Sequence, residues 1–97
     1  MKNKIKENMR QKWIEEGGRL LAWREELGLS RAFIARETRV DYGRLSRLEK
    51  GDPVKEARLV SQVYRMTLEK VEMEKVFKRL QTSIGAENKG ESTKNHS

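Results

Sequence analysis

Cysteine is missing from this 97-residue sequence, and histidine occurs once, as His96. Without cysteine a disulfide framework and a thiolate zinc site are excluded, which agrees with a reducing, cytoplasmic setting. With one histidine and no metal-ligand spacing or nucleophile constellation, the expectation is no metal, no cofactor and no catalytic role. Proline also occurs once, as Pro53. Apolar runs stop at four residues, "LLAW" from Leu20 and "AFIA" from Ala32. Runs that short exclude a transmembrane helix and the apolar region of a signal peptide. No stretch alternates apolar and polar residues over the length of a strand, so an all-α chain is expected.

Charge is what the sequence has in quantity. Charged residues make up 38% and hydrophobic residues 35%, so the core of this one domain must be small. The net charge is +7. Residues 1–12 carry five Lys/Arg against one Glu, and residues 31–50 carry six against three acidic residues. Residues 13–30 are net acidic, with two against four. Basic charge concentrated in two segments points to a polyanionic partner, nucleic acid ahead of membrane. A merely soluble basic surface is the competing reading.

Apolar spacing divides the chain into helices. Ile5, Met9 and Trp13 recur every four residues and predict a basic N-terminal helix or arm within residues 1–17, broken by Gly17-Gly18. A core helix follows with Leu20, Trp23 and Leu27 inward and Gly28 at its end. Ser30 caps the next, which buries Ala32, Ile34 and Ala35 and fades near Thr38. Asp41 caps another, with Leu45 and Leu48 inward, stopped by "GDP" at 51–53. A fourth core helix is predicted over Val54–Met66 with Leu59, Val63 and Met66 inward. A fifth runs from Leu68 to Ile84 with Val71, Val76, Phe77, Leu80 and Ile84. Residues 85–97, "GAENKGESTKNHS", are predicted to be a disordered tail. Two helices of about eight residues with a three-residue turn between them are too short to stand alone. Their use lies in the angle between them, the helix-turn-helix arrangement.

The segment "GRLLAWREELGLSRAFIARETRVDYGRLSRLEKG", followed by a loop and a further helix, resembles the Cro and phage-repressor type of helix-turn-helix proteins, often called the XRE family. "LGLS" at 27–30 resembles the junction between the family's first two helices. Ala35 stands where the family keeps a small residue at the crossing of the motif helices. Val40 and Leu45 match its apolar anchors, and "RLEKG" at 47–51 matches its third-helix ending. The resemblance covers about half the chain. It implies a lambda-repressor-like helix-turn-helix fold from about Gly18 to Leu68. With the fifth helix, which like the N-terminal one lies outside the resemblance, the expected domain is a five-helix bundle over residues 18–84, and the N-terminal helix is extra. The resemblance also implies a buried ion pair between Arg24 and Glu49. The chain departs from the family at Arg39, where the motif turn often has glycine, and at Arg31, where a glutamine is common.

On that resemblance the 42–50 helix is the one that enters a DNA groove, and Tyr42, Gly43, Arg44 and Arg47 are its base-reading candidates. Gly43 would remove a side chain where the helix nears the groove floor, although glycine in a first turn is also cheap. Ser30, Arg31, Arg39, Ser46, Lys50 and Lys55 are candidates for contacts to the DNA backbone. The stripe Val76, Phe77, Leu80 and Ile84 could pack on its own bundle or form a dimer interface. The N-terminal helix could lie on the DNA backbone, join the dimer or meet an anionic membrane surface, the last being weakest. The function so implied is that of a bacterial or phage regulator of transcription binding double-stranded DNA. A repressor acting as a homodimer on a palindromic operator is expected, because a chain this short has no room for a ligand-sensing domain. The other class open to the sequence is a protein-interaction module, such as an antitoxin or a phage-encoded inhibitor of a host protein.

Overall fold

A computed structural model of the chain describes residues 2–87, with side chains from 8 to 84. It contains four helices and, among the described residues, no strand. They are α1 (Lys2–Glu26), α2 (Arg31–Thr38), α3 (Tyr42–Lys50) and α4 (Ala57–Glu87). Among the described residues no helix is long and apolar enough to cross a membrane.

Two expected breaks are absent, and each has a physical cause. The first is at Gly17-Gly18, where α1 runs straight through. Gly17 is buried because the C-terminal end of α3 lies against it. A Cβ on Gly17 would sit 2.9 Å from the Glu49 carbonyl oxygen and closer still to that of Leu48. Gly51 forms the other side of the crossing, where a Cβ would come within 2.5 Å of Ile14 Cα. The glycines cost helix propensity and allow two backbones to touch. Gly18 meets nothing and contributes no such contact.

The second absent break lies between the expected fourth and fifth helices, which form the single helix α4. No helix breaker separates Met66 from Leu68, and Leu68 is fully buried, so packing holds the junction helical. The helix also starts later than expected, at Ala57, because Glu56 takes a left-handed conformation with φ 56°. It ends later too, passing through Gly85 to Glu87. The rest of the expected tail, residues 88–97, lies outside the described residues.

The core joins Leu20 of α1, Ile34 of α2, Leu45 and Leu48 of α3, and Val60, Tyr64 and Leu68 of α4. Burying each such side chain contributes about 1.5–3 kcal/mol. Trp13, Trp23, Leu27, Phe33 and Val40 are among the partly buried residues packed around it. In α4 the inward register differs from the expected one, since Leu59 and Met66 are more than half exposed. Both i, i+4 series are apolar, and the one containing Tyr64 goes inward because its hydroxyl finds a partner there. Ala32 and Met9 are likewise exposed rather than buried. Ile5 falls outside the described side chains.

Helices α1 and α4 lie side by side and point the same way. Ser61 donates to Glu16 at 2.8 Å, and further along Lys75 donates to the Leu27 carbonyl at 3.0 Å. The two shorter helices fill the space beside this pair, with α3 crossing α1 at Gly17.

Candidate nucleic-acid interface

Local chemistry fixes the junction between α2 and α3. Ser30 is extended at φ −84°, ψ 157°, and its hydroxyl accepts from the Phe33 amide at 3.0 Å, capping α2. Arg39 closes the helix at φ 63°, ψ 21°, with its amide donating to the Ala35 carbonyl at 2.9 Å. A left-handed arginine costs roughly 1 kcal/mol relative to glycine. Asp41 then caps α3 by accepting from the Arg44 amide at 2.8 Å, and its other oxygen lies 3.2 Å from Arg44 Nε.

Leu45, Leu48 and Glu49 turn α3 inward, which leaves Tyr42, Arg44 and Arg47 on its outer side. Tyr42 and Arg47 are exposed, and Gly43, Arg44 and Ser46 are half-buried. Lys50 is exposed at the end of α3, and Lys55 is exposed in the connection to α4. A Cβ on Gly43 would meet Arg47 Nη1 at 3.5 Å and Asp41 Oδ2 at 3.6 Å, ordinary contacts. Nothing inside the molecule therefore requires glycine at that position. The guanidinium of Arg47 lies beside it.

The main electrostatic feature is a five-residue network beneath this surface. Glu49 is 1% exposed at its side chain, and Arg24 Nε lies 3.0 Å from its Oε2. Tyr64 donates its hydroxyl proton to the same Oε2 at 2.5 Å and accepts from Arg24 Nε at 3.0 Å. Arg24 Nη1 donates to the Leu29 carbonyl at 2.9 Å, tying the network to the α1–α2 junction. Burial is the largest single influence on Glu49 and opposes its charge. The Tyr64 hydroxyl and the two guanidiniums together outweigh it and hold the carboxyl below its usual range. Burial, and next its bond to Glu49, push the Tyr64 hydroxyl up, so it stays a donor. Every buried side-chain nitrogen and oxygen among the described residues is satisfied.

Arg31 is the second guanidinium, and the structure gives it partners that the sequence did not suggest. It opens α2, but instead of standing free for a phosphate it donates from Nε to Glu49 Oε1 at 2.7 Å. Its Nη1 donates to the Tyr42 hydroxyl at 2.9 Å, with its guanidinium carbon 5.1 Å from the Tyr42 ring centroid. The side chain remains 25% exposed. It thus links the buried carboxylate to the first residue of α3, and a phosphate would have to share it. Tyr64, which nothing in the local sequence pattern singled out, completes the network from α4.

Away from α3, a groove of about 600 Å³ lies between α1 and α4. Met9, Trp13, Arg58, Arg65 and Met66 are among its lining residues. Compared with protein-family models, curated proteins and solved structures, the chain has no significant match.

Proposed function

We propose that this chain is a helix-turn-helix regulator of transcription, of the Cro and phage-repressor type, that reads DNA with α3. On this reading it acts as a repressor, as a dimer on a palindromic operator. The observation that carries the reading is the arrangement of α3. The helix is capped by Asp41, set off from α2 by a three-residue turn, and anchored by Leu45, Leu48 and Glu49. Its outward side offers Tyr42 and Arg44 at the N-terminal end, the end that meets base edges in such proteins, and Arg47 one turn further along. Arg44 and Arg47 are the candidates for donating to guanine, and Tyr42 is held in orientation by Arg31. Ser30, Arg39, Ser46, Lys50 and Lys55 remain candidates for the DNA backbone. Selection of bound sites from random duplexes, followed by a footprint, tests the reading. Enrichment of a twofold-symmetric motif is expected, and recovery of unenriched sequence would remove it.

A second reading, a module that blocks another protein, is favoured by the groove between α1 and α4. Met9 and Met66, both more than half exposed, line that groove. Failure of DNA selection together with tight binding of a purified protein partner would promote it.

A further inference from the structure

We propose that α4 carries a coiled-coil seam on the face opposite its core side, and that two copies of this chain pair antiparallel through it. The inference rests on the dimeric part of the reading above and is independent of DNA.

The spacing is the first observation. Leu59, Met66, Met73 and Leu80 recur every seven residues, and Val63, Phe77 and Ile84 stand four residues after three of them. That is the a and d pattern of a heptad, with Lys70 at the remaining a position. At 100° per residue, this stripe falls about half a turn away from Val60, Tyr64 and Leu68, the face buried in the bundle. One helix therefore has two apolar sides, and the bundle uses only one.

Exposure is the second. Leu59 is 54% exposed, Met66 57%, Met73 70%, Phe77 60%, Leu80 53% and Ile84 44%. Lys75 reaches the Leu27 carbonyl, but from Glu72 to Ile84 every residue is exposed. A helical segment of this length is marginal in water without something to pack on. A continuous apolar strip on a protruding helix is the kind of exposed patch that marks an interaction site. Two such strips would bury on the order of 1,000 Å² in all, the lower limit for a specific interface.

Charge selects the orientation. A parallel pair would set Lys70 on Lys70 and place Glu69 of each copy opposite Glu74 of the other, two repulsions of like charge. An antiparallel pair centred between Lys78 and Arg79 avoids both. Phe77 of one copy then stacks on Leu80 of the other, and Met73 on Ile84, giving four apolar layers. Glu74 faces Gln81, and Lys70 stays outside the layers. The two bundles lie at opposite ends of the pair, so neither obstructs the seam.

The whole chain is tested without DNA. Light scattering over a concentration series should give a dimer in the micromolar range. Phe77→Glu with Leu80→Glu should weaken it more than about a hundredfold, because each copy would lose two buried contacts. Helical content by circular dichroism should fall by no more than the fraying of the segment beyond Glu72, since both positions are exposed and the bundle does not use them. The chain has no cysteine, so single cysteines report the register directly. A mixture of Met73→Cys and Ile84→Cys chains should form the mixed disulfide, and neither should efficiently form its own. A wild-type chain that stays monomeric, or a dimer untouched by the double glutamate variant, overturns the seam. Efficient disulfide formation by Met73→Cys alone overturns the antiparallel register. If the glutamate variant does not fold, the cysteine pair decides. A chain that dimerises as described but selects no DNA leaves this inference standing and removes only the regulatory reading.

Discussion

Glu49 holds together three other side chains from three other helices, and its removal should be felt at all of them. Glu49→Ala would strand two guanidiniums against a protein interior, an effect of about 3–5 kcal/mol. Thermal denaturation should show a melting point far below that of wild type, and a wild-type melt would mean the network carries no stability. Tyr64→Phe removes one donor and one acceptor and is expected to cost about 1–2 kcal/mol in the same assay. The carboxyl of Glu49 is held below its usual range, so its contribution is fully present above the unfolded value of about 4.3 and is lost as pH falls through the lower folded value. Glu16 shifts the same way: burial opposes its charge, and bonds from Ser61 and Arg65 outweigh it. Stability of the wild type should therefore fall steeply below about pH 4, and the Glu49→Ala chain should lose part of that dependence. Arg31 and Arg47 separate in a second way. Arg47→Ala should leave stability within about 0.5 kcal/mol, as at a surface position. It should also cost about 1–3 kcal/mol on the selected operator and much less on scrambled DNA. Arg31→Ala should lower the melting point as well as weaken DNA binding, because its guanidinium serves Glu49 and Tyr42. Equal losses from Arg47→Ala on both duplexes would take Arg47 out of base reading.

Among the elements, α1 offers the sharpest contrast, two adjacent glycines of opposite use. Gly17→Ala pushes a methyl group into the Leu48 and Glu49 carbonyls, backbone atoms that cannot swing aside, and should destabilise by more than about 2 kcal/mol. Gly18→Ala meets nothing and should stabilise the helix by about 0.5–1 kcal/mol. Denaturant midpoints of the two variants should lie on opposite sides of wild type, and like shifts would misplace the crossing. The same glycines show where reading the sequence works and where it stops. The caps at Ser30 and Asp41 and the turn at Gly28 were legible, because their chemistry lies within three residues along the chain. Gly17 was not, since propensity counts it as a breaker while its cause is a carbonyl more than thirty residues away. The register of α4 was ambiguous for a different reason. Two apolar series share the helix, and a hydroxyl partner on α3 decides between them. The expected ion pair of Arg24 with Glu49 came from the family resemblance. The further engagement of Arg31 depends on which way the second carboxylate oxygen faces, which no spacing reveals.

At the scale of the whole molecule, charge and outline govern behaviour. A chain of net charge +7 that neutralises several phosphates should bind DNA with an affinity that falls linearly on a log–log plot against salt. The slope is about −0.9 for each contact. A slope near zero, read by titration between low and physiological salt, would dispose of the polyanion partner. The outline follows from α1 and α4 running the same way with their far ends unpaired. The chain measures 70 × 24 × 18 Å, with a radius of gyration of 19.4 Å. A compact domain of this length would have about 13 Å. A rod of these proportions meets far more friction than a sphere of equal mass. It therefore leaves a gel-filtration column early, where a heavier spherical protein would elute. A single copy will pass for a heavier species on a calibrated column, and the ratio of sedimentation to diffusion is the quantity that gives its true mass.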